Sequence, residues 1–100
     1  MKDNLERYKS MDDLGRALGL SNADLALIHA KKQAVKKLRK AREVQGLTQA
    51  QVAKMVGTKQ PAIARMEAGL ISEVSFDFLL KVAWALGVTL TMKPPTLTAA

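Results

Sequence analysis

The chain has 100 residues, 48% of them hydrophobic, with six glycines, three prolines, no cysteine and a net charge of +7. That is one domain's worth of chain with apolar material for one core, and it argues against a two-domain enzyme. The lack of cysteine excludes disulfides, iron–sulfur clusters and Cys-bearing zinc sites, and no stretch approaches the roughly 18 apolar residues of a membrane span. The first ten residues mix both charge signs without an apolar run, so a cytoplasmic protein is expected.

The charge is unevenly placed. Residues 1–30 carry −1, residues 31–70 carry +8 and residues 71–100 are neutral. A basic block of forty residues is the electrostatic footprint of a surface that meets a polyanion, nucleic acid first among them. Taken alone, it equally describes a solubilising face.

Ala, Leu, Lys and Gln dominate most of the chain, which predicts an all-α body of five helices followed by one short C-terminal β-strand. Ser10 caps a first helix over Met11–Leu18, with Asp12 and Asp13 in the turn where the helix dipole favours negative charge, and Gly19 stops it. Ser21 or Asn22 opens a long helix to about Gln45, in which Leu25, Ile28, Val35 and Leu38 form an apolar stripe before Gly46. Thr48 caps the next helix, Gln49–Val56, whose inner face is Val52, Ala53 and Val56 and which Gly57 closes. Thr58 caps a fourth with Pro61 in its first turn, Ile63 and Met66 facing inward, and Gly69 at its end. After the looser Leu70–Val74, Ser75 caps the fifth helix, Phe76–Leu86, and Gly87 stops it.

From Val88 the pattern changes to period two, with Val88, Leu90 and Met92 on one side and Thr89, Thr91 and Lys93 on the other until Pro94 and Pro95. This predicts a strand over 88–93 that needs an outside partner, first of all the same strand of a second subunit. In domain terms the chain reads as one unit: an N-terminal extension over 1–22, a core over 31–87, the strand, and a tail over 94–100. Both chain ends read as disordered.

Two short helices joined by a tight turn, Thr48 to Gly69, make a helix-turn-helix whose second helix can enter a DNA major groove. The segments Gly46-Leu47-Thr48-Gln49-Ala50-Gln51-Val52-Ala53 and Gly57-Thr58-Lys59-Gln60-Pro61-Ala62-Ile63-Ala64-Arg65-Met66-Glu67-Ala68-Gly69 resemble the Cro and repressor type, or XRE family, of helix-turn-helix proteins. Leu18-Gly19-Leu20, Ser75-Phe76, Leu79-Leu80 and Leu86-Gly87-Val88 extend the resemblance to a subgroup with HigA-type antitoxins and phage-associated regulators, so that it covers about residues 16–95.

The resemblance implies a repressor-like domain in which Thr58–Ala68 is the recognition helix. Lys59, Gln60, Pro61, Ala62 and Arg65 are then the base-reading candidates. Gln60 can pair bidentately with adenine N6 and N7, Lys59 or Arg65 can donate to guanine, and Ala62 offers a methyl group. Pro61 departs from repressors with a polar residue there, and so removes one base-reading side chain. Thr48, Gln49, Thr58, Arg39 and Lys40 are the phosphate candidates. The resemblance further implies that Arg42 pairs with Glu67 and locks the long helix to the recognition helix. Outside the motif, Gln60 reads as an ordinary exposed residue, and Arg42 and Glu67 as unrelated surface charges.

The fifth helix is apolar nearly all round. Phe78, Leu80 and Trp84 lie off its inner face and, with Val88, Leu90 and Met92, suit a dimer or partner interface; packing of this face on the N-terminal helix is the alternative. Dimerisation also follows from the DNA geometry, since one module reaches only half an operator and an inverted repeat on double-stranded DNA needs a twofold protein.

Other chemistries have less to stand on. His29 is the lone histidine, no carboxylate pair sits in a general acid–base motif, and no metal site, cofactor loop or membrane-inserting face is expected. The sequence therefore points to a DNA-binding regulator without enzymatic activity. Either it is the antitoxin of a toxin pair, capping the toxin with its first 29 residues, or it is a plain repressor. A protein-interaction module that never meets DNA is the third reading.

Overall fold

A computed structural model describes residues 10–91. Five α-helices follow in order: α1 (Met11–Ala17), α2 (Asn22–Val44), α3 (Gln49–Val56), α4 (Gln60–Glu67) and α5 (Phe76–Leu86), with a single 3₁₀ turn at Ile71–Glu73 before α5. By their contacts the described residues form two units, residues 10–29 and residues 30–91, and α2 contributes to both.

The first unit is small and held largely by local polar links. The Ser10 hydroxyl accepts from the Asp13 amide at 3.2 Å. The Ser21 hydroxyl accepts from the Asp24 amide at 3.1 Å while the Asp24 carboxylate accepts from the Ser21 amide at 3.0 Å, a reciprocal cap that starts α2. The bond from the Ser21 amide foremost, and a second from the Ser21 hydroxyl to the same carboxylate oxygen at 2.9 Å, hold the Asp24 carboxyl below its ordinary value. Gly15 is buried, and a Cβ there would stand 2.9 Å from Leu25 Cδ2, so the absence of a side chain lets α1 approach Leu25.

The second unit carries the core. Ala34, Val35 and Leu38 of α2 meet Val52 and Ala53 of α3, Ile63 and Met66 of α4, Val74, and Leu79, Val82, Ala83 and Leu86 of α5. Leu38, Val52, Ile63, Met66, Leu79 and Val82 are shut off from solvent, so truncating any of them to alanine costs about 2–5 kcal/mol for the large side chains and less for the valines. The apolar spacings in the sequence account for this set: each helix of this unit turns one stripe inward and leaves most of its charges outside.

Local signals set the turn of the motif. Thr48 and Gln51 form a full capping box: the Thr48 hydroxyl accepts from the Gln51 backbone amide at 3.0 Å and the Gln51 side-chain Oε1 accepts from the Thr48 backbone amide at 2.7 Å. Gly57 ends α3 with φ +74°, a backbone conformation that a side chain would strain, and the Thr58 amide closes back on the Ala53 carbonyl at 2.9 Å. Thr58 is thereby part of the closure of α3, and the cap of α4 moves to Lys59, which makes no side-chain capping bond. This corrects the expectation that Thr58 caps the helix. Pro61 sits in the first turn of α4 as expected.

Over the described residues 88–91 the predicted C-terminal β-strand is not formed. There the chain runs without a strand partner; Met92 and Lys93 lie outside the described residues, as do the N-terminal nine residues and the tail. The physical reason is that period two describes any extended segment with one face covered, and here the cover is the protein's own core: Val88 and Leu90 pack against it. The Val88 amide is spent on the Ala83 carbonyl, at 2.8 Å, and the Thr89 carbonyl accepts from the Lys37 ammonium group. The segment is a strap fastened by side chains.

Candidate nucleic-acid interface

The N-termini of α3 and α4 carry most of the candidate contact groups, with Arg65 in the last turn of α4. Lys59, Gln60, Pro61 and Arg65 are exposed and Ala62 is half-buried. Thr48 is exposed, while Gln49 and Thr58 are half-buried. The structure joins two of these residues directly: the Gln60 amide nitrogen donates to the Gln49 carbonyl oxygen at 2.8 Å. On α2, Lys36, Lys37, Arg39 and Lys40 are exposed, and Arg39 lies 3.9 Å from Glu43 in a solvated pair.

Arg42 belongs to a different arrangement. Its Nε donates to Glu67 Oε2 at 2.6 Å and its second terminal nitrogen to Glu67 Oε1 at 2.8 Å, while the remaining nitrogen reaches the Leu47 carbonyl at 2.8 Å. The side chains are only 15% and 4% exposed, so the fork is a nearly dry tie between α2 and α4. Burial, the largest single influence, pushes the Glu67 carboxyl upward. The hydrogen bonds from Arg42 and Gln49, with the charges of Arg42 and Arg39, outweigh it and leave the group below its ordinary value. The hydrogen bond to Glu67 correspondingly raises Arg42.

Gln49 connects the two arrangements. Its amide nitrogen donates to Glu67 Oε1 at 3.0 Å, so Arg42, Glu67, Gln49 and Gln60 form one continuous chain of hydrogen bonds from the buried fork to the exposed edge. The sequence placed Gln49 at a phosphate and Glu67 beside Arg42; it gave no sign that they touch, since they are 18 positions apart on different helices.

The apolar candidates divide. Phe78, Val88 and Leu90 are half-buried against the core, and Met92 is outside the described residues. Trp84 is 85% exposed and Leu80 46%, so both remain free to meet a partner. With Met55, 49% exposed, Val56 and Lys81 they line a shallow groove of about 370 Å³. The sequence reading assigned Val52, Ala53 and Val56 to the inner face of this helix and gave Met55 no role. His29 lies 2.8 Å from Asp12 on the surface of the first unit. Among the described residues no group of His, Asp and Glu is placed to hold a metal ion, and no helix is long and apolar enough to cross a membrane.

The helix-turn-helix family model matches residues 38–92, which takes in α3, the turn, α4 and α5. No curated protein and no solved structure matches the chain. With the two short helices, the glycine turn between them and the family match over more than half its length, the chain belongs to the XRE-type helix-turn-helix family of DNA-binding transcriptional regulators.

Proposed function

We propose that the protein reads an inverted-repeat operator on double-stranded DNA as a homodimer and regulates transcription by occupying it. The single observation that carries this reading is the exposed leading edge of α4, where Lys59, Gln60 and Pro61 lie and Gln60 hydrogen-bonds Gln49 at the head of α3, with Arg65 exposed in the last turn of the same helix, within a family-matched motif. In it, Gln60, Lys59 and Arg65 contact base edges, Pro61 and Ala62 offer apolar contacts, and Thr48, Gln49, Thr58, Arg39 and Lys40 engage phosphates. The +8 charge of residues 31–70 supplies attraction independent of sequence. Leu80 and Trp84, with Met55, form the dimer contact, Trp84 being an anchor type favoured at interface centres.

The finer reading is that this regulator is a HigA-type antitoxin working in the cytoplasm. The N-terminal extension, residues 1–22, lies outside the family match, as an added partner-capping element would. Deleting it while retaining operator binding and losing neutralisation of a co-encoded toxin supports this reading; full neutralisation without it leaves a plain repressor.

The primary test is selection of bound duplexes from a randomised pool at near-physiological salt, run beside Gln60→Ala. An inverted repeat that relaxes at one position per half-site in the variant supports the assignment. If no sequence is enriched, the groove-reading role fails.

A further inference from the structure

We infer that Lys32, Lys36 and Lys40, on the outward face of α2, hold the phosphate backbone of a second DNA duplex while α4 reads the first. The inference rests on the operator-reading role of α4 proposed above and adds a contact that is blind to sequence.

The direction of these side chains follows from helix geometry, in which successive residues stand about 100° apart. Leu38 is fully buried and, with Ala34 and Val35, turns α2 towards α3, α4 and α5. Lys36 and Lys40 stand two positions either side of Leu38, so both point about 200° round the helix from it, and Lys32 points about 120° from it. All three are exposed. They look away from the body that carries α3 and α4, across a helix roughly 10 Å wide, so the duplex entered by α4 is not the one they meet. Lys40 keeps the phosphate contact proposed above, but to the second segment. Lys37 is spent on the Thr89 carbonyl.

Among the described residues none of the three lysines forms an ion pair, and Glu43, on the same side of the helix, is matched by Arg39 at 3.9 Å. The face therefore keeps three uncompensated charges along about 12 Å of helix. One strand of a duplex carries a phosphate every roughly 3.4 Å of its axis, so three fall within that length. The chemistry also selects the occupant. Lysines one turn apart are hydrated point charges without the planar fork that fixes an orientation, and they suit a phosphate backbone; protein interfaces are depleted in lysine.

A protein with two such faces passes from one duplex to another without first letting go. Wild type and the triple variant Lys32→Gln/Lys36→Gln/Lys40→Gln should be released from a labelled duplex bearing the selected operator, while an unlabelled duplex lacking it is raised in concentration. The expected result is a dissociation rate that climbs with competitor in wild type and stays flat in the variant. The variant's equilibrium affinity for the operator should stay within about twofold at physiological salt, because the removed charges lie beyond the Debye length of about 8 Å. Arginine at all three positions should restore the climb. A rate that is flat in wild type overturns the inference and leaves the face to solvent or to an acidic protein; a rate that climbs equally in the variant overturns it too. An operator affinity that falls roughly tenfold in the variant, with the salt slope reduced by about three, places the lysines on the operator itself and is equally fatal. In a second readout, two differently labelled duplexes should co-sediment with wild type and part with the variant; failure to co-sediment with wild type also overturns the inference. A wild type that enriches no sequence removes the operator reading itself, a failure seen before any competitor is added.

Discussion

Two surfaces of the core unit differ in what holds them. The edge formed by the N-termini of α3 and α4 is polar and internally bonded, with four side chains linked from a nearly dry ion pair out to Gln60. The groove beside Trp84 is apolar, and its chief residue is 85% exposed. The difference teaches that the two surfaces suit different kinds of recognition. The first is shaped before its ligand arrives, which lowers the ordering cost of binding and favours discrimination. The second has area to offer but no fixed geometry, and gains its order from whatever covers it.

The sharpest way to break this contrast is Glu67→Gln. Removing one partner of the buried fork leaves Arg42 uncompensated, and a loss of about 3–5 kcal/mol in chemical denaturation is expected. A loss under about 1 kcal/mol would make the pair an ordinary surface bridge. The pH dependence has a definite sign. Glu67 is lowered in the folded protein, so the unfolded chain takes up the proton first. The stabilisation is present above the ordinary carboxylate range and is lost as pH falls through and below it; the variant should show a correspondingly flatter acid limb.

Next in size is Thr48→Ala, which removes the side-chain half of the capping box at the head of the bonded edge. It is expected to cost about 1 kcal/mol, read as a shift of the denaturation midpoint at unchanged slope. On the apolar surface, Trp84→Gln should leave monomer stability within about 0.5 kcal/mol, since little of the ring is buried, while sedimentation shows self-association weakened. A large loss of monomer stability would mean that the ring is covered within one chain. The smallest effect belongs to Arg39→Ala, whose solvated pair with Glu43 contributes about 0.3–0.5 kcal/mol. Its signature lies in DNA binding, where one lost phosphate contact should reduce the salt slope by about 1.

The helices were legible because their ends are written in short-range chemistry. Ser10, Thr48 and Ser75 each accept from an amide three residues on, and glycine takes the left-handed conformation that closes α3 and α5. The Arg42–Glu67 contact was reachable through the family resemblance. What stayed hidden depends on tertiary placement. Val88 and Leu90 alternate as a strand does, but whether a neighbouring strand or a core lies beneath them is a property of the whole fold. Thr58 has the chemistry of a cap, yet its position is claimed by the closure of α3. The Gln49 link to Glu67 and Gln60 spans two helices, and no spacing rule predicts it.

Helix α4 has eight residues and no side-chain cap, so it is too short to persist on its own and is kept helical by the burial of Ile63 and Met66. The side chains proposed to meet DNA thus borrow their shape from the interior and cannot outlast it. Heating should therefore erase operator recognition and the folded core in a single step, leaving no temperature at which the protein is intact but illiterate. A regulator built this way takes its upper working temperature from its core.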